Sequence, residues 1–331
     1  MLHNHGTFII SLDFELYWGV HDVMSIEEYK ENLLGARRAV PKLLEMFEEY
    51  HIHATWAAVG LLFFRTKQEM MQSLPKLRPR YQNRAFSAYE KMGLLGDQEE
   101  NDPYHFASSL IKKISNYKYQ EIATHTFSHY YCLEEGQTEE EFEADLIAAL
   151  NIGKEQGFSI KTIIFPRNQV NEKYLSICKK HGIISYRGNE KHMIYEPASF
   201  AAGNLPLKRI IRMADTYLNI TGRHIYSAER AASTPLINLS SSRFLRPYHP
   251  NLKILDSLRL KRIKNSLTAA AKERKIYHLW WHPHNFGKNL EENMAFLKEI
   301  IEHYIMLKKT YGMEALNMAE AAEKLNSIKN K

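Results

Sequence analysis

The chain has 331 residues, 44% hydrophobic and 25% charged, with a formal net charge of +6. That composition supports one large α/β domain or two modest ones, and a charge excess this diffuse, with no Lys/Arg block beside a stacking motif, argues against nucleic acid as a partner. Two cysteines, Cys132 and Cys178, without CxxC spacing exclude a disulfide scaffold and point to a reducing compartment. The opening "MLHNHGTFIISLDFEL" lacks a basic-then-apolar leader, and no window holds about 18 uninterrupted apolar residues. The expected location is therefore the cytoplasm, with no membrane span.

In chain order, "TFIISLDF" (7–14) is β-branched and apolar with an acid near its end, and reads as a buried strand with a functional tip. Residues 25–50 carry helical periodicity through Leu33, Leu34, Val40, Leu43, Leu44 and Phe47, and Ser25 with Glu28 forms a capping box. "IHATWAAVG" (52–60) is the next strand. Residues 61–118 are helix-leaning and basic and read as a long insertion, not a separate domain. "QEIATH" is a strand, and "TEEEFEADLIAALNIGKEQG" is a helix with Thr138 as N-cap and Gly157 after its end. "IKTIIFP" is a strand, "NEKYLSICKKHG" a helix capped by Asn171 and stopped by Gly182, and "IISYRG" a strand.

Residues 189–233 form a second insertion. "TPLINLSSS" resumes a strand, 252–274 is helical, "KIYHLWWHP" is a strand, and a last long helix covers 290–310, followed by "EALNM" and "AEAAEKL". Strands alternating with helices at this density mean a parallel sheet or barrel in a single domain, 1–331. Polar residues gather at the C-terminal strand tips: Asp13 and Glu15, His125, Arg167, His282. A β/α barrel places its chemistry there. A doubly wound open sheet explains the alternation too, but the Gly-rich phosphate loop it normally carries is missing.

His125 and His129 lie four residues apart in "EIATHTFSHYYC", but so do His278 and His282, so that spacing alone is weak. It is not the helical zinc-peptidase pattern, because Thr126 stands where that pattern needs Glu. Asp13 and Glu15 fall on one face of an extended strand, and two carboxylates there repel unless a cation or proton lies between them. Two histidines and one carboxylate make a three-ligand site with open positions, suited to zinc or another divalent transition metal. The other carboxylate is free to take a proton from water. Arg167, after Pro166, can pair with one of the acids and fix its rotamer. His278 lies one step deeper than His282 and reads as a core histidine, while His282 at the tip is a general acid or a spare ligand. Tyr17, Trp18, Phe127, Tyr130, Tyr131, Trp280 and Trp281 gather near these tips, and some can form a platform for a sugar ring.

"SLDFE", "THTFSH", "FPRN" and "WWHPHNFG", in that order, resemble the polysaccharide deacetylase family, carbohydrate esterase family four, and most of all its surface-polysaccharide biosynthesis branch. The resemblance runs from about residue 7 to 290, and no motif covers the two insertions. It implies a distorted (β/α)7 barrel that removes N- or O-acetyl groups from sugars with a divalent metal, most simply Zn2+. By the same resemblance, Asp13 is the base, Glu15 with His125 and His129 the metal ligands, Arg167 the tether of the base, and His282 the acid. Glu15 stands where the family usually has Asp, and His284 competes with His282. The expected partner is an acetylated sugar, a nucleotide sugar or a lipid-linked glycan. Two rival readings are a cyclic-amide hydrolase on the same barrel and a non-catalytic glycan-binding protein.

Overall fold

The computed structural model describes residues 5–329. Residues 1–4, where the segment read for an export signal begins, and 330–331 lie outside them, as do the extreme ends of the expected 1–331 domain.

Strand β1 (Thr7–Phe14) is buried at all eight positions. Successive side chains of a strand point to opposite faces, so a strand covered on both sides reads as a continuous apolar run. Phe8, Ile10, Leu12 and Phe14 pack outward against helices, whereas Ile9 joins a separate inner cluster. The odd-numbered positions Ile9, Ser11 and Asp13 therefore face the interior, becoming more polar towards the tip.

Parallel neighbours flank β1: β2 (Ala54–Ala58) on one side and β8 (Ile276–Trp281) on the other. The sheet continues from β2 through β3 (Gln120–Thr124), β4 (Thr162–Ile163) and β5 (Ser185–Tyr186) to β6 (Ile237–Asn238), while β7 (Arg243–Phe244) pairs with β8. Strands β6 and β7 belong to one extended segment. Its first half donates from Leu239 N to Tyr186 O and from Ser241 N to Gly188 O. Its second half donates from Ser242 N to His278 O and from Leu245 N to Trp280 O. The segment thus lies along β5 and then along β8, giving seven lanes around the axis and a distorted (β/α) barrel.

The helix Ile26–Glu49 has both reciprocal bonds of the Ser25/Glu28 capping box, and Glu139–Glu155 has the same device at Thr138/Glu141. The expected helix after Asn171 begins later, at Tyr174, because the Asn171 side chain instead accepts from Lys173 N in a preceding turn. Short strand β9 (Glu314–Ala315) pairs with the start of β1. The last helix, Met318–Lys329, starts with Met318 N donating to Thr55 Oγ1 and Ala319 N to half-buried Glu121 Oε2. Met318, Ala321, Ala322 and Leu325 join Ile9 and Ile276 in the inner cluster, so this helix covers the N-terminal end of the barrel. Functional groups are left to the opposite mouth. No helix among the described residues is long and apolar enough to cross a membrane.

Candidate active site

A polar column rises inside the barrel. His278 Nδ1 faces Leu239 O at 2.9 Å, and His278 Nε2 lies 2.8 Å from Ser11 Oγ. The carbonyl can only accept, so Nδ1 carries the proton and the Ser11 hydroxyl donates to Nε2. Burial pushes His278 down to about 3, so the ring is neutral. This is the core histidine expected at that position. Ser11 Oγ also accepts from Arg187 Nη1 at 3.0 Å.

Arg187, at the tip of β5, is fully buried and grips Asp13 with both forks, Nη1 to Oδ1 at 2.6 Å and Nη2 to Oδ2 at 2.7 Å. Asn168 Oδ1 accepts from the same Nη2 at 2.9 Å, and the guanidinium lies 4.0 Å from the Trp280 ring centre. Burial would raise the Asp13 carboxyl. The Arg187 charge, then that of His125, outweighs burial and holds it below its ordinary value.

The arginine expected to tether Asp13 was Arg167, and the structure corrects this. Arg167 and Asn168 both adopt left-handed backbone, each with φ 53°. The turn after Pro166 carries the Arg167 guanidinium to Asp22, at 2.8 and 2.6 Å, between Tyr131 and Phe200. The neighbouring tip fills the place beside Asp13. Sequence reasoning passed over Arg187 in "SYRG"; its position at a strand end was the available signal.

Glu15 follows β1 and turns inward. Its Oε2 lies 3.1 Å from His125 Nε2 and 3.0 Å from His129 Nε2, and all three side chains are buried. Gly19 makes room for it, since a Cβ there would stand 2.0 Å from Glu15 Oε1. His125 Nδ1 faces Ile164 O at 2.9 Å, so in the neutral ring the proton sits on Nδ1 and the bare Nε2 lone pair faces the Glu15 oxygen with no proton between them. Burial pushes His129 down to about 4. Burial also raises Glu15, but the field of the neighbouring His282 and contacts with His125 and His129 bring it well below its ordinary value. At neutral pH the His129 ring carries no extra proton to meet the Glu15 charge. Two imidazole lone pairs and a carboxylate oxygen converging in a buried pocket are a donor set for a divalent cation, zinc among them. The three expected ligands are therefore brought together, and they fit the metal.

The loop bearing His129 is held from outside. Thr126 and His129 have φ of 64° and 58°. Asp145, from the helix Glu139–Glu155, accepts from Phe127 N at 2.7 Å, from Ser128 N at 3.1 Å and from Ser128 Oγ.

His282 stands on the open side of the pocket, its Nε2 3.5 Å from Glu15 Oε1 and 3.7 Å from Asp13 Oδ2. Tyr29 OH donates to Asn285 Oδ1, which leaves the Asn285 amide to donate to His282 Nδ1 at 3.1 Å. The remaining ring proton is then on Nε2, facing the two acids. His284 stacks on His282 with centroids 5.0 Å apart. It is buried, and burial pushes it down to about 3. His284 reaches only Glu15 of the two acids, at 3.9 Å, whereas His282 on the open side faces both, which favours His282 as the proton donor. Glu15, His282 and His284 form a second possible ligand group that shares the same carboxylate.

No family model matches the chain, and no curated protein matches it. Solved structures do. A Mycobacterium smegmatis protein named as a polysaccharide deacetylase aligns over 99% of this chain and 92% of its own, with TM-score 0.57 and 13% identity. One so named from Pseudomonas aeruginosa PAO1 aligns over 96% and 89%, with TM-score 0.53 and 12% identity. Puue allantoinase aligns over the same shares, with TM-score 0.55 and 10% identity. The chain shares the barrel fold of these three proteins along nearly its whole length.

Proposed function

We propose that the chain is a metal-dependent carbohydrate deacetylase of the polysaccharide deacetylase family that hydrolyses the acetyl amide of an N-acetylated sugar. One observation carries the reading: Glu15 converges with His125 and His129 beside an Asp13 that Arg187 holds ionised. A bound divalent cation, Zn2+ being the simplest choice, would supply Lewis acidity, polarising the acetyl carbonyl and lowering the pKa of water towards about 7.

The chain's own groups supply the proton transfers. Asp13 removes a proton from the attacking water as its oxygen adds to the carbonyl carbon, and Arg187 fixes the carboxylate's aim. His282, once protonated with the Asn285 amide turned to offer Oδ1 to Nδ1, delivers its Nε2 proton to the nitrogen as the C–N bond breaks, releasing acetate and the free amine and returning to the neutral ring. Expected carriers of the sugar are a nucleotide or a lipid in surface-polysaccharide biosynthesis, inside the cell. The same groups could open a cyclic amide. Incubation of metal-loaded protein with an N-acetylhexosamine derivative should release acetate stoichiometrically with new amine. Ring-opening of a cyclic amide with no acetate from any acetylated sugar would overturn the deacetylase reading in favour of that rival. Binding of acetylated sugar without any product would favour a non-catalytic glycan-binding protein.

A further inference from the structure

A cleft of about 800 Å3 opens beside the active site, built by the tips of β4, β5, β7 and β8 and by the insertion 189–233. Five arginines line it: Arg167, Arg209, Arg212, Arg243 and Arg246. Arg167 is matched by Asp22, and Arg243 by Asp215 at 2.7 Å. The other three have no carboxylate within ion-pair distance among the described residues. Arg212 donates only to the carbonyls of Ile194 and Gly203. Arg246 donates Nε to Thr216 Oγ1 at 2.8 Å, and Arg209 is exposed. Arg167 adds a buried Nη1 with no hydrogen-bond partner. Two acids, Glu190 and Glu196, share the wall, so the unmatched arginines outnumber them.

An apolar wall joins this cleft to the reactive centre. Phe244 and Trp280 line it, and their ring centres lie 5.8 and 5.6 Å from that of His282. Arg246 follows two residues beyond Phe244, its guanidinium 5.9 Å from that ring. A sugar ring laid on Phe244 and Trp280 would set its acetamido group beside His282 and its far substituent among the arginines. Planar guanidinium forks match phosphate oxygens, and several unmatched forks suit a group of more than one negative charge.

Building on the deacetylase reading, we propose that this arginine cleft is a phosphate subsite and that the substrate is an acetylated sugar bearing a phosphoryl group. The phosphoryl group can belong to a sugar phosphate or to a diphosphate linking the sugar to a carrier. The insertion 189–233 then determines specificity, since it contributes Arg209 and Arg212.

Calorimetric titration of the metal-loaded full chain with inorganic pyrophosphate tests the subsite apart from catalysis. Saturable binding is expected, weakened about tenfold or more by Arg246→Gln or by exposed Arg209→Gln. Arg65→Gln, which removes the same charge away from the cleft, should bind as wild type does. Thermal midpoints confirm that the variants fold. Absent binding, or equal binding by all variants, would overturn the subsite; the latter would assign pyrophosphate to the metal alone.

Acetate release then compares a neutral N-acetylhexosamine with its 1-phosphate and its nucleoside-diphosphate-linked form. A kcat/KM advantage of about tenfold or more for a phosphorylated form, shrinking in Arg246→Gln, supports the proposal, and which form leads identifies the carrier. Equal rates on all three overturn the proposal and leave the deacetylase reading standing. Arginine-dependent pyrophosphate binding with no acetate from any sugar supports the subsite and counts against deacetylation.

Discussion

Arg187 has no solvent exposure, and a guanidinium so placed is tolerable only when its charge is met and most of its donors are occupied. Asp13, Ser11 and Asn168 meet the charge and both terminal nitrogens within one barrel layer, and Nε is left without a partner. Breaking a buried pair on one side leaves the other charge unmatched, at a cost of about 3–5 kcal/mol. Arg187→Met should therefore lower the urea-unfolding free energy by that order and abolish nearly all acetate release. Adding Asp13→Asn to it should restore part of the stability and none of the activity. A double-mutant cycle measures this coupling. If the double variant were destabilised by the sum of the single effects, the pair would carry no energetic coupling. Arg167 has the same chemistry and other surroundings, and the difference arises in two residues of left-handed backbone after Pro166.

Among the elements, the loop 125–129 depends most on what lies behind it. Asp145→Ala would leave the buried N–H groups of Phe127 and Ser128 without their acceptor, at about 1–3 kcal/mol each. It should weaken metal binding about 10–100-fold, as loss of an outer partner of a ligand typically does. Competition with a chelator measures that loss, and unaltered affinity would show that the loop holds His129 without help. Gly19→Ala probes the other ligand. The added Cβ meets the mobile end of Glu15, not backbone, so the side chain should yield and the fold persist. Elemental analysis should then find metal lost, with the unfolding midpoint little changed.

Local signals of this kind reveal much of the architecture. The capping residues of two major helices, the buried first strand, and the acids and histidines at the tips are all legible because each depends on neighbours in sequence. The Arg187–Asp13 pair spans 174 positions, so nothing near "SYRG" announces it. Likewise "TPLINLSSS" reads as one strand, but only the assembled barrel shows such a segment changing partners from β5 to β8.

For the molecule as a whole, neutral imidazoles in the barrel and its mouth, with one more half-buried in the insertion 189–233, have a consequence in acid. Burial pushes His278 and His284 down to about 3 and His129 and His224 down to about 4, all from an ordinary value of 6.5. Below pH 6.5 the unfolded chain takes up protons that the folded one refuses, so stability falls as the pH drops. Each such histidine contributes a slope of about 1.4 kcal/mol per pH unit until its folded pKa is reached. Asp145 works in the opposite sense: burial pushes it up to about 6, so the fold binds its proton earlier than the unfolded chain and gains stability as the pH falls from 6 towards 4. Burial raises Glu121 in the same sense as Asp145, but four histidines outweigh two carboxylates, and the metal-free protein should lose urea resistance steeply between pH 6 and pH 4.5. His278→Gln removes one titrating group while keeping a side chain able to meet Ser11, so it should make that decline shallower although it costs stability at pH 7. Urea midpoints at several pH values for both proteins decide the matter. Parallel declines in the two would show that His278 does not stay neutral inside the barrel.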